Sequence, residues 1–75
     1  MEQALRRRLL DLLRRSAGDE AMIEREFRRF VDEIRAMTVD RQPYVADIRD
    51  TLMWFCPSDR LAERLSKMYC ASVLA

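Results

Sequence analysis

Three residues mark the expected helix boundaries in this chain of 75 residues: its only glycine, Gly18, and its two prolines, Pro43 and Pro57. Glycine and proline are the residues that an α-helix interior tolerates least. They divide the chain into four segments, and in each segment apolar residues recur at spacings of three and four, as on one face of a helix. The sequence therefore predicts an all-α fold, a small bundle of four short helices in a single domain spanning residues 1–75.

The ends of these helices carry recognisable signals. The first helix is expected over Gln3–Arg15 and ends before Gly18, because glycine readily adopts the left-handed conformation that closes a helix. Asp19, Asp40 and Ser58 are the candidate N-caps of helices two, three and four, since their short polar side chains can accept from free backbone amides. The short junction at Gly18 predicts that helices one and two form an antiparallel hairpin.

Four apolar stripes define the expected core. In chain order they are Leu5, Leu9 and Leu12, widened by Leu10 and Leu13; Ile23, Phe27, Phe30, Ile34 and Met37; Val45, Ile48, Leu52 and Phe55; and Leu61, Leu65, Met68 and Ser72. The run 52–56 is apolar all round, which predicts that this end of helix three is covered on more than one side.

The sequence favours a non-enzymatic protein. It has no histidine, and histidine is the side chain most often used for acid–base catalysis near neutral pH. Cys56 and Cys70 stand among apolar neighbours, do not form a C-x-x-C pair, and are interpreted as reduced, small hydrophobic residues. We therefore expect no catalytic residue, no cofactor and no metal site.

Membrane insertion is not expected either. No run of 18 uncharged apolar residues occurs in the chain, whereas a membrane-spanning helix needs about 20. The arginines at 6–8 precede Leu9 and Leu10 much as in a signal peptide, but Asp11 interrupts the apolar region that would have to follow. The sequence therefore predicts a cytoplasmic protein without a membrane partner.

DNA binding is the main alternative among the possible functions. Arg60, Arg64 and Lys67 share one face of helix four, and the turn before that helix could serve a helix-turn-helix unit formed by helices three and four. Arg7 and Arg14 form a further basic stripe on helix one that could contact phosphates. The net charge of only +1 opposes this interpretation, because DNA affinity depends largely on phosphate neutralisation.

A protein interface is the function that the sequence favours. The last eight residues carry no charged side chain, and an apolar surface of this kind has to be covered. Tryptophan, tyrosine and methionine are enriched at protein interfaces. The predicted interface residues lie on helices three and four and are Met53, Trp54, Phe55, Leu65, Met68, Tyr69 and Val73.

These residues predict a homodimer formed through helices three and four, and capture of another protein. We expect a small regulator that binds and modulates, most simply inhibits, that protein through an apolar helical surface. A bacterial or phage anti-activator or inhibitor is one example of this class, which is inferred from size and fold type alone. A secretion chaperone is the second alternative.

Overall fold

The structure, a computed structural model, describes residues 3–37 and 44–74, without the side chains of residues 73 and 74. Within these ranges the chain forms four α-helices and no strand, as the sequence predicts. The candidate N-cap Asp40 lies outside the described residues. The helices are α1 (Gln3–Arg15), α2 (Glu20–Ala36), α3 (Tyr44–Phe55) and α4 (Asp59–Leu74).

Three of the predicted helix boundaries are confirmed by their hydrogen bonds and backbone angles. Gly18 has a φ of 82°, in the left-handed region that favours glycine. Asp19 caps α2, because its carboxylate accepts from the backbone amide of Met22 at 3.0 Å. Ser58 caps α4 in the same way, its hydroxyl accepting from the amide of Leu61 at 3.2 Å. Local side-chain chemistry therefore sets these boundaries.

The helices form a four-membered ring in which α1 and α4 each pack against both α2 and α3. The diagonal pairs are α1 with α4 and α2 with α3. Only residues 16–19 separate the end of α1 from the start of α2, and an ion pair joins Arg8 in the middle of α1 to Glu33 near the end of α2. The two helices therefore run antiparallel, as predicted. The chain thus consists of two hairpins, α1–α2 and α3–α4.

The two hairpins lie side by side in the same direction. A guanidinium nitrogen of Arg6 lies 3.0 Å from a carboxylate oxygen of Asp47, which joins the first halves of α1 and α3. Arg64 lies 3.6 Å from Glu24, which joins the first halves of α2 and α4. These pairs are exposed, so each contributes well under 1 kcal/mol; they report which helix flanks face each other.

One apolar core extends through all four helices. Fully buried members come from every helix, among them Leu9, Phe27, Ile34, Leu52 and Leu65. Burial of such side chains is the main favourable term in folding.

Two residues predicted to be in the core are exposed. Met37 is 38% exposed and Phe55 is 43% exposed. Each stands at the end of its helix, Met37 as the C-cap of α2 and Phe55 as the last residue of α3. The apolar spacing continues to these positions, but a facing helix does not cover them, so the spacing alone overestimated the core.

Candidate protein-binding surface

The last turn of α3 is the most exposed apolar segment in the described part of the chain. Trp54 is 82% exposed, and its neighbours Met53 and Phe55 are 37% and 43% exposed. The sequence predicts that this turn is covered on several sides; the single chain does not cover it, so cover by a second copy or another protein stays a prediction. The reason that the single chain does not cover it is the ring arrangement: Leu52 points into the core and is fully buried, while none of the described helices packs on the outer side of α3. We call residues 53–55 the exposed turn.

Trp54 lies on the flank of α3 that faces α1. It follows Asp47 by seven residues, which is close to two complete helical turns, and Asp47 contacts Arg6 of α1. Leu10 of α1 is only half-buried and lies in a surface groove with Arg7 and Arg14. The neighbouring helices α1 and α3 thus each have an apolar side chain at the surface, and the groove around Leu10 also contains the acidic residue Asp11.

Met53 lies on the other flank of α3, toward α4. It follows Arg49 by four residues, and Arg49 lines a surface groove of about 310 Å³ between α3 and α4. The other side chains of this groove come from α4: Glu63, Ser66, Lys67 and Cys70. Met53 and Trp54 are therefore adjacent in sequence but exposed on different sides of their helix.

Two predicted interface residues belong to the core instead. Leu65 and Tyr69 are 0% and 1% exposed in the single chain. They stand one turn apart on α4, with the fully buried Ala62 beside them. Because α4 packs against both α2 and α3, its covered face is wide enough to include the whole Tyr69 side chain. Neither residue is available on the surface for a second protein.

Met68 is half-buried and lies on a third side of the bundle. It contributes to a groove of about 360 Å³ between α2 and α4, with Val31 on the α2 side and Arg28 and Arg35 among its lining residues. The side chain of Val73 lies outside the described residues. The predicted interface residues that are exposed or half-buried thus lie on several sides of the bundle and do not form one surface.

The basic residues named for DNA binding are all exposed, but they lie on two separate helices. Arg60, Arg64 and Lys67 are on α4, where Arg64 is 3.6 Å from Glu24. Arg7 and Arg14 are on α1, the helix diagonally opposite α4 in the ring. The structure therefore does not bring these two stripes together into one basic surface.

The Cys56 thiol follows the exposed turn and is half-buried. Burial, followed by the negative charge of Glu20, raises the pKa of Cys56 from 9.0 to about 11. The thiol is thus protonated near neutral pH, and since the thiolate is the nucleophile, Cys56 is poorly reactive there.

Within residues 3–37 and 44–74, no group of three or more potential metal ligands occurs. Among the helices so described, none is long and apolar enough to cross a membrane. No protein-family model matches this chain, and no curated protein or solved structure does either. Its function is therefore inferred from the surface itself.

Proposed function

We propose that this chain is a small, non-enzymatic regulatory protein that binds another protein through the exposed turn of α3 and inhibits it. The observation that carries the proposal is the 82% exposure of Trp54, the only tryptophan in the chain. Large aromatic side chains at the centre of an interface supply much of its binding energy. We infer that Trp54 is such an anchor, with Met53 and Phe55 as exposed apolar neighbours in sequence.

The free energy available at this site supports the proposal. A tryptophan side chain buries roughly 200 Å² when fully covered, and at about 25 cal/mol per Å² the exposed part of Trp54 would contribute roughly 4 kcal/mol before the costs of association. Removal of a central anchor typically weakens binding by about 2 kcal/mol or more, which corresponds to about 30-fold in Kd.

We further propose that the chain self-associates and acts in the cytoplasm. Self-association is supported by the small size of the core, because a chain of 75 residues gains stability when a neighbour covers its remaining apolar surface. The compartment is inferred from the composition described above.

The proposal is tested by affinity capture from the native host with three tagged forms of the chain. These are the unaltered protein, Trp54→Ala and a matched control, Met37→Ala, which removes an exposed apolar side chain at the other end of the bundle. Circular dichroism first confirms that all three are folded. We expect the unaltered protein and Met37→Ala to retain the same partner and Trp54→Ala to lose it.

Binding of the identified partner is then measured by calorimetry with purified components, where Trp54→Ala should raise Kd at least tenfold. Equal binding by Trp54→Ala would contradict the proposal. DNA binding is examined in parallel: a mobility shift at low salt that is lost on charge reversal at Arg60 and Lys67, without a Trp54-dependent partner, would favour the DNA-binding alternative.

A further inference from the structure

The helices α1 and α3 pack side by side, and we call their outward flanks together the α1–α3 face. On α1 it contains Arg7, Leu10, Asp11 and Arg14, which line the same groove. On α3 it contains Trp54 and Asp50, an exposed residue that stands one turn before Trp54. Side chains four residues apart share a side of a helix.

This face is electrostatically divided into two halves. The helix α1 carries five arginines and one aspartate. The helix α3 carries two aspartates and one arginine, and that arginine, Arg49, lies on the flank toward α4. Arg6 and Asp47 pair with each other within the chain. The α1 half of the face therefore keeps a net positive charge, from Arg7 and Arg14 against Asp11, and the α3 half keeps the negative charge of Asp50. Leu10 and Trp54 are the apolar residues of the face.

We propose that a second copy of this chain covers the α1–α3 face, with a twofold axis parallel to the helices. This inference rests on the proposed role of Trp54 in partner binding. Self-association is the event that regulates whether Trp54 is free to bind the partner. Rotation about that axis places α1 of each copy on α3 of the other, so that Arg7 meets Asp50 of the second copy. Trp54 then packs against Leu10 and Arg14 of the second copy, where an arginine over an indole face adds a cation–π contact.

The charges select this axis over the other twofold arrangement. If the axis lay across the helices, α1 would stack on α1 and α3 on α3. Two halves of net positive charge would then face each other, as would two halves of net negative charge, and like charges in contact are unfavourable. The parallel axis instead places the positive half of each copy on the negative half of the other, so that the face is complementary to itself, as a twofold contact requires.

The size of the face makes this a weak, reversible dimer. Two helices of 12 and 13 residues are about 18–20 Å long and lie about 10 Å apart. They present roughly 400 Å² per copy, which is below the roughly 800 Å² per partner of a typical stable complex. The second copy and the partner protein both cover Trp54, so one chain cannot bind both at once. The partner protein therefore competes with the second copy and dissociates the dimer.

Sedimentation equilibrium of purified protein at concentrations up to about 1 mM tests the proposal, since even a dimer with a Kd of about 1 mM is half-formed there. Arg7→Glu and Asp50→Arg should each weaken self-association at least tenfold. An equimolar mixture of these two variants should dimerise as well as the unaltered chain, because both contacts between positions 7 and 50 in the mixed dimer then join side chains of opposite charge. The matched controls, Lys67→Glu and Glu63→Arg on α4, should leave Kd within about twofold.

Three results would overturn the inference. The first is an unaltered chain that stays monomeric throughout the concentration range. The second is a dimer that neither charge reversal weakens. The third is a dimer that Arg7→Glu strengthens, since that result would select the axis across the helices. These experiments contain no partner protein, so a failure here leaves the capture test with Trp54→Ala as an independent measure of the proposed function.

Discussion

The hydroxyl of Ser58 donates to the carboxylate of Glu20 at a distance of 3.2 Å. The same hydroxyl accepts from the backbone amide of Leu61, also at 3.2 Å. One side chain therefore caps α4 and ties its first turn to the first turn of α2. The contact fixes the two hairpins relative to each other at the end of the bundle that carries the exposed turn.

Replacement of Ser58 should test this double role. Ser58→Ala removes both hydrogen bonds and should lower the free energy of unfolding by about 1–2 kcal/mol, measured by urea denaturation. Ser58→Asp keeps an acceptor for the amide of Leu61 but places a second carboxylate beside Glu20. This variant should therefore also be less stable than the unaltered chain, and adding Glu20→Gln should restore part of the lost stability. An unfolding midpoint unchanged in Ser58→Ala would show that neither bond matters for stability.

The contrast between Trp54 and Tyr69 yields a second prediction. Tyr69→Ala should cost about 3–5 kcal/mol, because it empties a fully covered site in the core. Trp54→Ala should change stability by no more than about 0.5 kcal/mol at concentrations where the chain is monomeric, because its side chain is largely in solvent. Thermal or urea unfolding distinguishes the two, and similar losses in both variants would mean that Trp54 is covered in the monomer.

The conformation of Gly18 leads to a third prediction. Its φ of 82° is one that side chains with a Cβ rarely adopt, although nothing lies within 4 Å of where that Cβ would stand. Gly18→Ala should therefore cost about 1–2 kcal/mol through backbone strain alone. Gly18→Asn should cost less, since asparagine tolerates this conformation. Equal losses for alanine and asparagine would point to a steric cause instead.

The thiol of Cys56 makes stability depend on alkaline pH. Its pKa in the folded chain is about 11, above the ordinary value of 9.0, so the unfolded chain gives up this proton first. The resulting stabilisation is fully present below pH 9.0 and is lost as the pH rises toward 11. Urea midpoints of the unaltered chain should fall more steeply over this interval than those of Cys56→Ser, which has no ionisable group at position 56. Parallel curves would contradict the prediction.

Much of the fold could be predicted from local patterns. The helix α1 has the predicted bounds, and Gly18, Asp19 and Ser58 act at the predicted boundaries. These features depend on the backbone conformations and hydrogen bonds of a few neighbouring residues, so a short stretch of sequence contains the information.

The candidate site was predicted less well. The spacing of apolar residues identifies one side of each helix, but it does not tell how many neighbouring helices cover that side. Tyr69 was therefore assigned to an interface although it is buried. Phe55 was assigned both to the core stripe and to the interface, and its exposure contradicts the first assignment. The sequence also did not indicate that Trp54 lies on the flank of α3 toward α1, because this depends on how the two hairpins pack.

The amino-acid sequence by itself determined the number of helices, three of their boundaries and most of the apolar residues that pack, because each of these follows from interactions within a few turns of chain. The tertiary structure decided that α1 and α4 lie on a diagonal of the ring. This arrangement in turn decides which side chains are buried and which are exposed to water. The physical reason is that burial depends on contacts between residues far apart in the chain. The position of Trp54 beside a basic helix is a result of those contacts.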